Sequence, residues 1–410
     1  MSPCQRTRPH HPRSPSGLLL LGLCSALGCG GSGPSTRKEP PRALSDTSFG
    51  FVGVEPIVED GSQKPLEIAP NLVEHMDEIR QALPLLHEAH VSLVMIIQAV
   101  KVRDPALRNE VFELVEEAVA RGLEVRPVPL LSADDGYFPN ATNVDAYLPV
   151  VRELVAQWKA RGLAPNTLVV DMEPSRDLMA ALSSFRLVKA LPRHQIDRER
   201  YARAVSLYAA LVEELHAAGW KVSVTTQATL LADYGDGDDD LRQYFNVVLD
   251  QVPWDQVEFQ LYRSAYRSQS PGLDSYFVYD FAKKAAQQFP GTPVGVGLGL
   301  THPGPTYPRT ATEDQKALRE DLGAALAAGV PRERITVYNL KGILLGPPFC
   351  DKVLRCSATD YSYKSNEPRS WFMNADGRAA PSESASTKLL WGEFELADKL
   401  LDHSKDSRAD

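Results

Sequence analysis

Two carboxylates two residues apart, Asp171 and Glu173, close the stretch TLVVDMEPS at residues 167–175. The run before them is apolar and β-branched, as in a buried strand, and Pro174 ends it. Side chains alternate along a strand, so both carboxylates point to the same side. Held together they repel, which raises the pKa of one and keeps it protonated. The pattern fits general acid catalysis, with Glu173 as proton donor and Asp171 as the charge that tunes it. A structural pair, bonded to helix N-termini or an arginine, is the other reading of the same two residues.

Further polar residues sit where other apolar runs end. They are Glu55 in VGVEP, Gln98, Gln227, the set Glu258, Gln260 and Tyr262 in EFQLYRS, and Tyr338 with Asn339. Amides, a phenol and carboxylates around an apolar scaffold are what sugar recognition needs, although any one alone also reads as a satisfied rim residue. Tyr137 and Phe138 in DDGYFPN are expected as exposed aromatics, either a sugar platform or loop anchors. Metal chemistry is not indicated. His87 and His90 in HEAH lack the i, i+4 spacing of a zinc helix, and His302 stands alone. DYGDGDDD lacks the glycine and distal glutamate of a calcium loop and reads as a cap for a helix from Leu241. No metal and no cofactor is expected.

Eight strand-like runs must position these groups: 48–58, 91–99, 123–131, 167–175, 221–229, 256–264, 292–300 and 335–343. Amphipathic helical stretches separate them, two ending in the Arg-Gly-Leu of helix C-termini. Apolar strands alternating with helices imply a parallel sheet covered on both faces, hence the α/β class. Eight such units imply a (β/α)8 TIM barrel, a single domain over 48–403, whose C-terminal strand ends build the site. An open nucleotide-binding sheet would need G-x-G-x-x-G after its first strand, and GVEPIVEDG lacks it. The glycines of GVGLGL then relieve crowding inside the barrel. Residues 176–219 are too long for one helix, and LPRHQIDRER marks a helical insertion near 190–200. A long irregular loop, 344–383, with Pro347 and Pro348, is expected over the catalytic face, before a closing helix at 384–403.

A D-x-E at the fourth strand end with a tyrosine on the sixth resembles the family 18 chitinase and endo-N-acetylglucosaminidase barrels. The resemblance implies that Glu173 protonates the glycosidic oxygen, Asp171 supports the substrate acetamide as it attacks, and Tyr262 holds that acetamide. Two further aspartates of the family motif are replaced here by Asn166 and Val169. VEP, DMEP and EFQLY are also similar to family 25 muramidase barrels, which pair an acid on the first strand with a later D-x-E. The two-carboxylate retaining layout with a nucleophile after strand seven is disfavoured, because GLGLTHPG carries no carboxylate.

The N-terminus reads as an export signal: Arg6, Arg8 and Arg13 without an acid, then LLLLGLCSALG. SALGCGGSG resembles the bacterial lipoprotein lipobox, which implies cleavage after residue 28 and lipidation (palmitate) of Cys29. An ordinary cleaved signal with an incidental cysteine stays open. Residues 29–47 are a Gly/Ser/Pro tether and 404–410 a tail. Removing the signal takes the formal charge from −9 to about −12. An acidic chain without basic blocks argues against nucleic acid and anionic lipid as partners. Cys350 and Cys356 in FCDKVLRC fit one short-loop disulfide, and a zinc pair lacks further ligands nearby.

The expected protein is a lipid-anchored glycoside hydrolase-like barrel of the bacterial cell envelope, facing periplasm or exterior. Its partner is an amino-sugar polymer, chitin-like or peptidoglycan, with the membrane met only through the anchor. A non-catalytic carbohydrate-binding lipoprotein and a structural or assembly lipoprotein are the alternatives. Replacing Cys29 by Ser should release the protein from the membrane fraction, since acyl burial supplies about 0.8 kcal/mol per CH₂. Unchanged partition between membrane and soluble fractions would refute lipidation there.

Overall fold

Every β-branched run contains a strand, shorter than the run itself. The computed structural model describes residues 50–52, parts of 76–87, 91–178 without 133, 176 and 177, 196–299 without 235, 236, 268 and 269, 315–338, and 380–406. Within these, the strands are β1 (Gly50–Val52), β2 (Ser92–Gln98), β3 (Val125–Leu130) and β4 (Thr167–Asp171). They continue with β5 (Lys221–Gln227), β6 (Gln256–Gln260), β7 (Val294–Gly299) and β8 (Ile335–Tyr338). All ladders are parallel, in the order β3-β2-β1-β8-β7-β6-β5-β4. Cα atoms of the two end strands, β3 and β4, come within 8 Å of each other. The Asn166 side-chain amide, at the start of β4, donates to the Val125 carbonyl of β3 at 3.4 Å.

Parallel strands need crossovers, and the amphipathic segments supply them. The helices are α1 (Ala99–Arg103), α2 (Pro105–Ala120), α3 (Val144–Ala160), α4 (Arg198–Ala217) and α5 (Asp240–Phe245). After β6 come α6 (Arg263–Tyr266), α7 (Tyr276–Gln288), α8 (Gln315–Ala327) and α9 (Ala385–Asp406). Their ends follow local chemistry. Asp104 accepts from the amides of Ala106 at 2.8 Å and Leu107 at 3.1 Å, with Pro105 at N1. In HQIDRER, Asp197 caps α4 through the Arg200 amide at 2.9 Å. Helices α2, α3 and α4 stop before Gly122, Gly162 and Gly219, all left-handed with φ of 81°, 69° and 86°. The acidic run does cap α5, but through Asp233, which accepts from Leu241 at 2.8 Å and Arg242 at 3.2 Å. No helix among the described residues is long and apolar enough to cross a membrane.

The sheet separates two apolar clusters. Its outer face, with Leu93, Val170, Val224, Phe259 and Val337, packs into one large core with the helices. Its inner face holds a smaller cluster that includes Val94, Ile96, Val128, Tyr262 and Tyr338. Residues of β2, β3, β4, β5, β6 and β8 line one common pocket on that inner side, so the sheet curls around an axis as an α/β barrel. Several sequence-based expectations fall outside the described residues: the leader and tether with Cys29, Glu55, most of the insertion near 190–200, His302, Asn339, Cys350, Cys356, and nearly all of the 344–383 loop.

Close approach explains the glycines of β7. A Cβ on Gly295 would meet Gln256 Nε2 at 2.6 Å and the Arg334 carbonyl at 2.8 Å. The carbonyl is backbone, at the end of the 3-10 turn Arg332–Arg334 that leads into β8, and cannot swing away as a side chain can. Gly295→Ala should therefore lower stability by about 1–3 kcal/mol, read as a shifted urea midpoint with unchanged slope. An unshifted midpoint would contradict this packing.

Candidate active site in the barrel mouth

The alternation expected for D-x-E persists past the strand. Asp171 is the last residue of β4, and the Met172 amide still donates to the Thr225 carbonyl of β5 at 2.9 Å. Met172 turns outward and is fully buried, its sulfur accepting from the Val248 amide at 2.9 Å. Glu173 turns back to the inner side, and both carboxylates line the pocket. Gln260 Nε2 donates to Asp171 Oδ1 at 3.1 Å and to Glu173 Oε1 at 2.7 Å. Gln227 Nε2 lies 3.4 Å from Glu173 Oε2, and Asn140 Nδ2 donates to the Glu173 carbonyl at 3.1 Å.

About 680 Å³ of atom-free space lies in the pocket region, a figure that includes open solvent. Its lining mixes polar side chains, among them Asp171, Glu173, Glu258 and Gln260, with apolar and aromatic ones such as Val94, Ile96, Phe138, Tyr262 and Tyr338. The rings of Tyr262 and Tyr338 lie 5.6 Å apart at 36°. An amphipathic pocket of this kind suits a ligand with polar edges and an apolar face.

Of the residues singled out in the sequence, Asp171, Glu173, Gln260, Tyr262 and Tyr338 converge here. Gln227 touches Glu173 from just outside the lining. Gln98 is buried on the inner side of β2 but is not part of the pocket wall, and its Nε2 has no hydrogen-bond partner among the described residues. The expectation of exposed aromatics in DDGYFPN is corrected: Tyr137 and Phe138 are both 3% exposed and meet edge to face at 4.7 Å. Asn143 Nδ2 draws their loop inward by donating to the carbonyls of Phe138 at 2.9 Å and Asp135 at 3.0 Å. Only Gly136 (φ 98°) fits the turn, since a Cβ there would lie 2.8 Å from that same nitrogen. Loop anchoring is thus the role of Tyr137, while Phe138 reaches the pocket.

Thr336, Arg126 and Asn140 are additional to the sequence reading, which has Glu258 only as sharing a face with Gln260 and Tyr262. The signal for Glu258 and Arg126 was a charge at an inward position of a strand, Glu258 two residues before Gln260 and Arg126 within EVRPVPLL. Thr336 Oγ1 donates to Glu258 Oε2 at 2.9 Å. Arg126 is held by Glu124 at 2.9 and 3.2 Å. Burial pushes the Glu258 carboxyl up to about 7, against the Thr336 hydrogen bond and the Arg126 charge. Elsewhere, Asp233, Asp238 and Asp398 bring carboxylate oxygens within 4.8 Å of one another. Asp233 is already committed to the α5 N-terminus and to Arg242 Nε at 2.6 Å, so no metal is assigned.

No known protein family's sequence pattern matches the chain, and no curated protein matches it in sequence. Among solved structures it is similar to a β-glucosidase from Thermotoga maritima in complex with cyclophellitol, at 13% identity and TM-score 0.44 over 65% of this chain and 78% of that one. It is similar also to a family 18 chitinase from Pseudoalteromonas aurantia, at 10% identity and TM-score 0.42 over 65% and 92%. A third is the catalytic core of xylanase A, at 12% identity and TM-score 0.38 over 72% and 88%.

The raised Glu258 has a thermodynamic consequence. Its folded-state pKa of about 7 lies above the ordinary 4.5, so the folded protein holds the proton more tightly than the unfolded chain. Folding stability is therefore greatest below pH 4.5 with respect to this group and declines as pH rises to about 7. Asp233, also raised by burial to about 7, adds a decline of the same sign. Glu258→Gln removes one of the two. With screening by pocket water allowed for, the variant should gain about 2 kcal/mol on wild type between pH 4 and pH 8. Parallel stability–pH curves for the two proteins would contradict the assignment.

Proposed function

We propose that the chain is a glycoside hydrolase-like protein on a closed (β/α)8 barrel, acting on an amino-sugar polysaccharide outside the cytoplasm. The observation that carries this is the Gln260 amide set between Asp171 and Glu173 in an amphipathic pocket walled by Tyr262. Gln260 Nε2 donates to Glu173 Oε1 at 2.7 Å and Gln227 Nε2 reaches Oε2 only at 3.4 Å, so Oε2 is assigned the proton delivered to the glycosidic oxygen. As that bond breaks, positive charge develops on the sugar, and the Asp171 carboxylate beside it offsets that charge. Tyr262 orients the ring. The substrate's own acetamide serves as nucleophile, in keeping with the resemblance to family 18. Export, lipidation at Cys29, a Cys350–Cys356 disulfide, a place in the cell envelope and the absence of nucleic-acid partners complete the proposal.

A second reading, sugar binding without turnover, is favoured by two residues. Val169 puts an apolar side chain on the pocket wall, and Asn166 is turned to the Val125 carbonyl, at the positions where the resembled family has aspartates. Glu173→Gln separates the readings, because it keeps shape and loses the transferable proton. On chito-oligosaccharides or peptidoglycan it should lower turnover roughly 10²–10⁴-fold with binding nearly intact. Wild-type turnover by the variant would remove Glu173 from the mechanism. Binding by both proteins with turnover by neither would establish the second reading.

A further inference from the structure

Backbone ladders join every neighbouring pair of strands in this sheet except one. Strands β3 and β4 end the strand order, and among the described residues no backbone pairing joins them. Their Cα atoms still come within 8 Å, so the two strands face each other along a seam. Side chains cross it at both ends. At the foot, Asn166 Nδ2 donates to the Val125 carbonyl at 3.4 Å, a long bond. At the mouth, Asn140 in the loop after β3 donates to the Glu173 carbonyl at 3.1 Å. The seam therefore runs beside the carboxylate pair.

Asn140 is fully buried, and its side-chain amide makes all four of the hydrogen bonds open to it. Nδ2 donates to the carbonyls of Glu173 and, at 3.3 Å, Phe138. Oδ1 accepts from the Thr142 amide at 2.9 Å and the Thr142 hydroxyl at 2.6 Å. These two donors fix which end of the amide faces Glu173. The main chain of Asn140 is held as well: its N–H donates to Asn143 Oδ1 at 2.8 Å, and its carbonyl accepts from Tyr208 Oη at 3.2 Å. A buried group this fully engaged has one orientation, and it passes that orientation to whatever it bonds.

We propose that Asn140 is a positioning residue for the reaction proposed above: across the unladdered seam it fixes the main chain at Glu173, and with it the approach of that carboxylate to Gln260. Its part in turnover rests on the glycoside hydrolase reading, whereas its placing of Glu173 does not. Phe138 depends on Asn140 less, because Asn143 Nδ2 also holds the Phe138 carbonyl, at 2.9 Å. Loss of the Asn140 amide should therefore act on the acid more than on the rest of the pocket.

The test compares four variants of the full chain: Asn140→Ser, Thr142→Val, Tyr208→Phe and Asn166→Ala. Thr142 is exposed, so Thr142→Val loosens the Asn140 amide without entering the core, and it decides the matter if Asn140→Ser does not fold. Tyr208→Phe and Asn166→Ala remove a different bond to Asn140 and the other bond across the seam, and report lost stability alone. The readouts are the carboxyl ¹³C signal of Glu173, assigned by its loss in Glu173→Gln, and kcat and KM on an N-acetylglucosamine tetramer. Asn140→Ser should move the signal and lower kcat about tenfold or more, with KM within about twofold of wild type. Thr142→Val should do the same to a smaller degree. Tyr208→Phe and Asn166→Ala should lower the urea midpoint and leave both readouts unchanged. An unmoved Glu173 signal in Asn140→Ser and Thr142→Val would overturn the proposal, as would equal movement in the other two variants. A moved signal with wild-type kcat would overturn the role in the reaction. A moved signal in a chain that cleaves no tetramer would keep Asn140 as the residue that places Glu173 and remove the hydrolase reading.

Discussion

Two carboxylates on one strand end repel each other, and a shared donor, the Gln260 amide, holds them in one place. Its nitrogen reaches Asp171 and Glu173 at 3.1 and 2.7 Å, across the whole width of β5. That reach depends on register: β5 pairs Thr225 with Asp171 on one side and Gln227 with Gln260 on the other. A slip of one residue in either ladder would turn the carboxylates or the amide into the helical layer. Strand register, more than any loop, sets the geometry of the pair.

The price of this arrangement is a barrel without a solid centre. Inner positions that elsewhere hold branched apolar residues carry Gln256, Glu258, Thr225 and Thr336, and the inner apolar cluster is small. Stability has to come from the outer layer, where strands and helices share one continuous core. Polar groups in the interior are tolerable because they find partners, as Glu258 does in Thr336. Burial acts differently on the two levels of the pocket. The Asp171–Glu173 pair is stitched by amides, while at Glu258 burial outweighs the Thr336 hydroxyl donor and the Arg126 charge and favours the protonated carboxyl.

What was legible in the sequence follows from which signals are local. β-branched runs mark the eight strands, and period-two alternation puts Asp171, Glu173, Gln260 and Tyr262 on one side. The runs are longer than the strands because apolar patterning continues past the last paired residue, as at Met172 after β4. Contacts distant in sequence were illegible. Thr336 lies 78 positions from Glu258, and Asn140 lies 33 from Glu173. Tyr137 and Phe138 were read as exposed because a loop rich in Asp, Gly and Asn looks solvated. The Asn143 side chain, bonding two carbonyls of that loop, reverses the expectation.

Met172, the residue between the two carboxylates, reaches the other way, into the core, where its sulfur takes the Val248 amide. The dipeptide step that carries the acid is thereby pinned on both sides of the sheet. Shifting the backbone at Glu173 would disturb the fully buried Met172 beside it, which ties the pair to the outer core. A site pinned in this way has little reorganisation left to perform when charge shifts within it. In the reaction proposed above, any slow step then belongs to the traffic of ligand, since Asp171 and Glu173 are already in position.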